Sequence, residues 1–241
     1  LPMISEQIAT LAEQVSGSAP VCGNDIMLLG DSERFVTQLS EDIKGAQHEV
    51  HLLFFIYLDD SSGRMVAEAM IEAAARGVKC RVLVDAVGSK KFLRSELMRS
   101  MRESGIEIVG ALPVNPIRML LSRLDLRNHR KIAVIDGQIG YTGSNNLAEA
   151  AFALKPDFAP WVDCSIRIDG PATKELQILF LEDWHFETGT LPEIPLKRQP
   201  RKCENGLPVQ IIATGPNFYN EATTQIVQAC IHQASHELVL T

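Results

Sequence analysis

Residues 128–136 read Asn-His-Arg-Lys-Ile-Ala-Val-Ile-Asp, and Gly143-Ser144-Asn145-Asn146 follows shortly after. On a strand, the period of two puts His129 and Lys131 on one face and leaves Asp136 on the opposite parity. A neutral imidazole is a competent nucleophile near neutral pH, and an ammonium beside it can hold and polarise a phosphoryl oxygen. A Gly-Ser turn lets the backbone approach closely. The Ser144 hydroxyl, the Asn146 amide and the start of a following helix can then donate to phosphate oxygens. Together these groups equip a phosphoryl-transfer site that uses no metal and no cofactor. Each residue alone reads as an exposed strand end or an ordinary turn, because short motifs match by chance; the joint pattern is not accounted for that way. Asp136, facing away from His129 beside a turn, reads as a structural anchor of the motif.

Other groups that could do chemistry carry less. His232 and His236 lie four apart on an expected helix, a spacing that suits a metal pair, but no third ligand accompanies them and a structural role is the better reading. His185, beside Asp183 and Glu187, reads as a surface or capping histidine. Between Leu112 and Lys131 the basic residues Arg118, Arg123, Arg127, Arg130 and Lys131 face a single acid, Asp125. That segment either steers an anionic headgroup or a nucleic-acid backbone, or decorates a solvated loop.

The elements that must position these residues alternate. Helices are expected over residues 1–15, for about fourteen residues after Asp31, over 63–76, over 90–103 and from Pro171 to about Glu187; strands are expected over 50–57, 78–86, 106–109 and 162–168. The run 129–136 reads as a strand ending in the hairpin signal Asp136-Gly137, with 138–142 returning antiparallel and a helix opening at 143–146. This rhythm predicts an α/β fold with a mixed, largely parallel sheet flanked by helices on both faces.

Domain boundaries follow from composition: an N-terminal helix and linker over 1–20, one lobe over 21–187, a Pro-rich linker over 188–208, and the start of a second lobe over 209–241. Shifting the chain by 188 residues brings Ile43, Ala46, His48, Glu49 and Leu52 onto Ile231, Ala234, His236, Glu237 and Leu240, which reads as an internal duplication cut off soon after it begins. If the offset holds, a second H-x-K-x4-D is expected near position 317 of the parent chain.

The composition permits a real core, with 241 residues, 46% of them hydrophobic. Five cysteines without a C-x-x-C pair argue against a disulfide framework or a structural zinc and point to a reducing compartment. The longest apolar run, residues 51–58, is far short of the roughly 20 residues that a membrane helix needs. A net charge of −7 opposes nonspecific nucleic-acid binding, so nucleic acid is an unlikely partner on composition. The chain starts without methionine and reads as a fragment.

H-x-K-x4-D followed by G-S-x-N resembles the signature of the phospholipase D superfamily, at His129, Lys131, Asp136, Gly143, Ser144 and Asn146. The sequence is further similar to the bacterial cardiolipin synthase branch at Gly23-Asn24, Asp59, Asp60 and Gly63, Arg76-Gly77-Val78, and Asp85 with Gly88-Ser89. The likeness continues at 127–131, Trp161-Val162-Asp163, Gly170-Pro171-Ala172 and Phe180-x-x-Asp183-Trp184, from about residue 20 onward. It departs at Gly143-Ser144-Asn145-Asn146-Leu147, where a Gly-Gly-Phe-Asn-Ile-like segment is expected.

The resemblance implies that two such motifs face each other, one histidine forming a phosphohistidine and the other protonating the leaving alcohol. His129 is then the nucleophile and Lys131 its catalytic partner, and Ser144, Asn146 and Arg127 hold the phosphate. Asp163 is nominated to orient the imidazole, with Glu149 and Asp157 as alternatives. The implied activity is transfer of a phosphatidyl group from phosphatidylglycerol to a lipid alcohol. A phospholipid hydrolase, a nuclease and an inactive half-enzyme are the competing readings. The implied partners are anionic phospholipid, a membrane surface and a second lobe, either in the same parent chain or in a homodimer. The implied location is the bacterial cytoplasmic membrane, with the anchor outside this chain, and activity is expected to survive chelators.

Overall fold

A computed structural model describes residues 3–112, 128–152, 160, 162–193, 200–214 and 221–239. Helix α1 (Met3–Ser16) leads to strand β1 (Val21–Leu29), helix α2 (Ser32–Gly45), strand β2 (Glu49–Phe54), helix α3 (Ser61–Ala75) and strand β3 (Lys79–Asp85). A short 3-10 turn, helix α4 (Glu96–Glu103) and strand β4 (Glu107–Ala111) follow. Strands β5 (Ile132–Ile135), β6 (Ile139–Gly143) and β7 (Ser165–Asp169) precede helix α5 (Thr173–Thr188), strand β8 (Leu207–Val209) and helix α6 (Ala222–Gln233).

Among the described residues, eight strands form one sheet in the order β4-β3-β2-β5-β6-β7-β1-β8. The expectation of an α/β fold holds, but not that of a largely parallel sheet. Only β2–β3 and β3–β4 are parallel; the other neighbours are antiparallel. The reason lies in the connections. Parallel neighbours need a crossover of a dozen or more residues, which α3 and α4 supply, whereas the tight turn at Asp136-Gly137 can join only antiparallel strands.

The sheet is apolar on both faces. Phe35, Leu39 and Ile43 of α2, with Val66 and Met70 of α3, pack on the side of Val50, Leu52, Val82 and Ala133. Leu176, Phe180 and Trp184 of α5 pack on the side of Leu53, Leu83, Ile132 and Val134. Capping sets the helix starts: the Asp31 carboxylate accepts from the Arg34 N–H and the Asp60 carboxylate from the Gly63 N–H, each at 2.9 Å. Ser95 caps α4 in the same way, so the helix expected over 90–103 begins only at Glu96.

The structure differs from expectation at three further places. β1 is not signalled by its residues, because Gly23, Asn24 and Asp25 are poor strand formers; it is held by its neighbours β7 and β8. The run from His129 enters the ladder only at Ile132. No helix opens at 143–146, and residues 144–152 run as turns and irregular backbone. α1 docks on protein: it packs against α6, and Gln210 Nε2 donates to the Ala9 and Ser18 carbonyls. No helix among the described residues is long and apolar enough to cross a membrane.

Candidate active site

The antiparallel registers gather several strand ends on one edge of the sheet. Leu53 pairs with Ile132, Ile132 with Thr142, and Gly143 with Ser165. The C-terminal ends of β2 and β6 therefore stand beside the N-terminal ends of β5 and β7. His129, Lys131, Ser144, Asn146 and Asp163 all sit on or next to these ends, so residues far apart in sequence share one site.

The imidazole of exposed His129 stacks on the Phe55 ring, with centroids 4.2 Å apart and planes 21° from parallel. Lys131 Nζ lies 5.8 Å from the same ring centroid and donates to the His129 carbonyl at 2.8 Å. Imidazole and ammonium thus share one aromatic shelf although neither residue is in the strand ladder. Burial pulls the Lys131 ammonium below the ordinary lysine range, and the Asp163 carboxylate pulls it back up.

The Gly143-Ser144 turn locks against the start of β7. A Cβ on Gly143 would come within 2.5 Å of the Cys164 carbonyl and the Ser165 Cα, at a φ of 154°, so only glycine fits. Ser144 N–H donates to the Cys164 carbonyl and Ser144 Oγ accepts from the Cys164 N–H, both at 2.9 Å. Asn146 Oδ1 accepts the Ile56 N–H at 3.0 Å, which leaves its NH2 group as the donor it can offer a ligand. Asn145, buried beside them, joins Ser32 to Ser165.

The remaining carboxylates separate by their partners. Asp136 has a φ of 54° and turns its oxygens onto the N–H groups of Gln47, His48 and Glu49 at 2.7 to 3.0 Å, at the opposite end of β5 from His129. Glu149 accepts from the Ser61 N–H and hydroxyl, which hold its carboxyl below the usual range. Asp163 acts on Lys131. Asp157, Arg118, Arg123, Arg127 and Trp161 lie outside the described residues.

His232 lies within α6 and His236 beyond its C-cap, so the two do not share a helix face as expected. No group of three or more metal-ligating side chains gathers among the described residues.

Sequence reasoning missed Phe55, whose place beneath His129 depends on β2 pairing with β5. It also gave no role to Asp183, whose carboxylate accepts from Asn128 Nδ2 and Arg130 Nη1 on either side of His129. Asp183 figured only as a neighbour of His185 and as part of a family-like run.

Residues 39–184 match the family model described as cardiolipin synthase, PLD-like domain. This chain belongs to that family. Among its relatives are the cardiolipin synthase A of Yersinia pestis, 38% identical over 99% of this chain, and that of Proteus mirabilis, 39% identical over the same share. The chain spans about half the length of these relatives. Nuc from Salmonella typhimurium, a solved phospholipase D family member, superposes with a TM-score of 0.48 at 15% identity, covering 74% of this chain and 97% of that one. The PLD-like domain extends over β2 to β7 and most of α5, so the strand ends carrying His129, Lys131, Ser144 and Asn146 all lie within it.

Proposed function

We propose that this chain is the first catalytic half of a phosphatidyltransferase of the cardiolipin synthase type. His129 attacks the phosphorus of phosphatidylglycerol, forming a P–N bond as the P–O bond to the headgroup glycerol breaks. Glycerol leaves with a proton from a second histidine in the other lobe. The hydroxyl of a lipid alcohol then attacks the phosphohistidine, returning its proton to that second histidine and regenerating neutral His129. Lys131 and the Asn146 amide hold the phosphoryl oxygens as charge develops, with Ser144 and Arg127 as further phosphate contacts. Asp163 orients the site from the Lys131 side, and Asp136 anchors the strand.

The observation that carries this reading is the gathering of His129, Lys131, Ser144 and Asn146 at one sheet edge in a chain 38% identical to cardiolipin synthase A along 99% of its length. The substrate is an anionic phospholipid, so the working surface is a membrane and the proposed location is the bacterial cytoplasmic membrane.

The second lobe is supported by three features of this chain at the 188-residue offset. Val21 of β1 pairs with Val209 of β8, its own equivalent, as an antiparallel pair does on a local twofold axis. Ala46 and Ala234 end α2 and α6 with the same extended cap, each N–H reaching the equivalent carbonyl of Ile43 or Ile231. Leu39, Ile43 and Val50 are fully buried, whereas their equivalents Val227, Ile231 and Leu238 are 46%, 37% and 47% exposed, an apolar face suited to the rest of a second core.

The test is lipid mass spectrometry after the full-length gene product is incubated with phosphatidylglycerol vesicles. Cardiolipin and glycerol are expected, and His129→Ala should lower the rate by about 10³-fold or more. Phosphatidic acid as the sole lipid product would establish hydrolysis instead, and salt-sensitive DNA cleavage without lipid turnover would establish a nuclease.

A further inference from the structure

His129 lies outside the strand ladder, because β5 begins three residues later at Ile132. Its two chain neighbours are instead held from the opposite face by one carboxylate. Asn128 Nδ2 donates to Asp183 Oδ2 at 2.7 Å, and Arg130 Nη1 donates to both Asp183 oxygens at 2.6 and 2.7 Å. Asn128 Oδ1 accepts the Arg130 N–H at 3.1 Å, closing a turn around His129. The other guanidinium arm, Nη2, donates to the Thr214 carbonyl at 2.6 Å. The Arg130 and Asp183 side chains are mostly buried, so their charge-assisted bonds are shielded from water.

We propose that Asp183 is the positioning residue of the nucleophile, gripping Asn128 and Arg130 so that the intervening His129 is held against the Phe55 ring. The proposal rests on the reading of His129 as nucleophile. Its physical basis is that Asn128 and Arg130 both turn to Asp183 while His129 and Lys131 both turn to the Phe55 ring. A carboxylate behind the chain can therefore fix the backbone without touching substrate. Asp183 itself is fixed by α5, whose neighbouring Phe180 and Trp184 are buried in the core. The Thr214 contact extends the grip to the segment after β8, so the entry to the proposed second lobe bears on the same residue.

The experiment compares wild type, Asp183→Asn, Asn128→Ala and the double variant in the full-length gene product, with kcat and KM for phosphatidylglycerol measured per folded molecule. Asp183→Asn should lower kcat by about 10- to 100-fold, because a misplacement of about 1 Å costs a reaction that much, while KM stays within about twofold. Asn128→Ala should cause a smaller loss in the same direction. The double variant should be no worse than Asp183→Asn, since both act through one carboxylate. A lowered melting temperature with unchanged kcat would show a merely structural role and overturn the proposal. If Asp183→Asn does not fold, Asn128→Ala decides: an unchanged kcat overturns it.

An independent readout is the imidazole signal of His129 in protein carrying 13C-labelled histidine, without substrate. One ring environment is expected in wild type and several in the variants; identical spectra overturn the proposal. Wild type that turns over no phosphatidylglycerol would refute the transferase reading, and the ring spectra would still decide the grip.

Discussion

Lys131 titrates under two opposing influences, burial against its cation and the Asp163 carboxylate in its favour. Asp163→Asn removes the second, so the Lys131 pKa should fall further and the alkaline limb of the kcat–pH profile should move to lower pH. If Asp163 oriented the His129 imidazole instead, the acid limb would move, so the profile separates the two roles. The motif itself was legible because His129, Lys131, Ser144 and Asn146 are close in sequence and their chemistry depends on local parity and turn geometry. Phe55 was not, since a ring 74 residues before the imidazole reaches it only through the pairing of β2 with β5. Replacing Phe55 with Leu keeps an apolar wall but removes the stack, and kcat should fall severalfold with recovery in Phe55→Tyr; steady-state kinetics on the pair of variants checks this.

At the scale of elements, β2 carries an unusual polar pair on the face covered by α5. His51 is fully buried, stacked on Phe180 with centroids 4.5 Å apart, and its Nε2 accepts from Arg81 Nη1 at 3.2 Å. Burial, aided by the Arg81 charge, pushes its pKa down from 6.5 to about 3. The unfolded chain therefore binds a proton that the folded one refuses. This group's stability is complete above pH 6.5 and is lost as pH falls toward 3. His51→Gln, which keeps an acceptor for Arg81, should flatten that acid loss by roughly 3 kcal/mol between pH 7 and pH 4 in urea melts. Glu49 works in the opposite sense, because burial raises its carboxyl pKa, so comparing the variant with wild type isolates His51. The turn before β6 makes a different contribution. Asp136→Ala leaves three backbone donors unmet and places alanine at positive φ, so unfolding free energy should drop by roughly 3 kcal/mol, less for Asp136→Asn. Helices and strands with strong periodicity were read within about three residues of their ends, except α4, which starts six residues later than expected. β1 and the irregular 144–152 run were not, because neighbouring strands and close contacts decide them rather than propensity.

The whole molecule joins an apolar sheet core to a short strand and a helix that we propose begin a second lobe. In the full-length protein, amide exchange at Val227, Ile231 and Leu238 should be protected, and Ile231→Asp should weaken that protection while β2 and β3 stay protected; hydrogen-exchange mass spectrometry reads both. Exchange equal to that of this chain alone would rule out a second core over α6. The sequence by itself determined the family, the candidate motif and the α/β class, because residue types at fixed spacing define the motif and alternating apolar runs define strands and helices. Tertiary structure decided the direction of most strands, since hairpin and crossover connections rather than residue types set parallel or antiparallel pairing. It also decided what surrounds His129. Phe55 stacks on its ring and Asp183 holds its chain neighbours Asn128 and Arg130, each from another element, and long-range packing leaves no mark in local sequence.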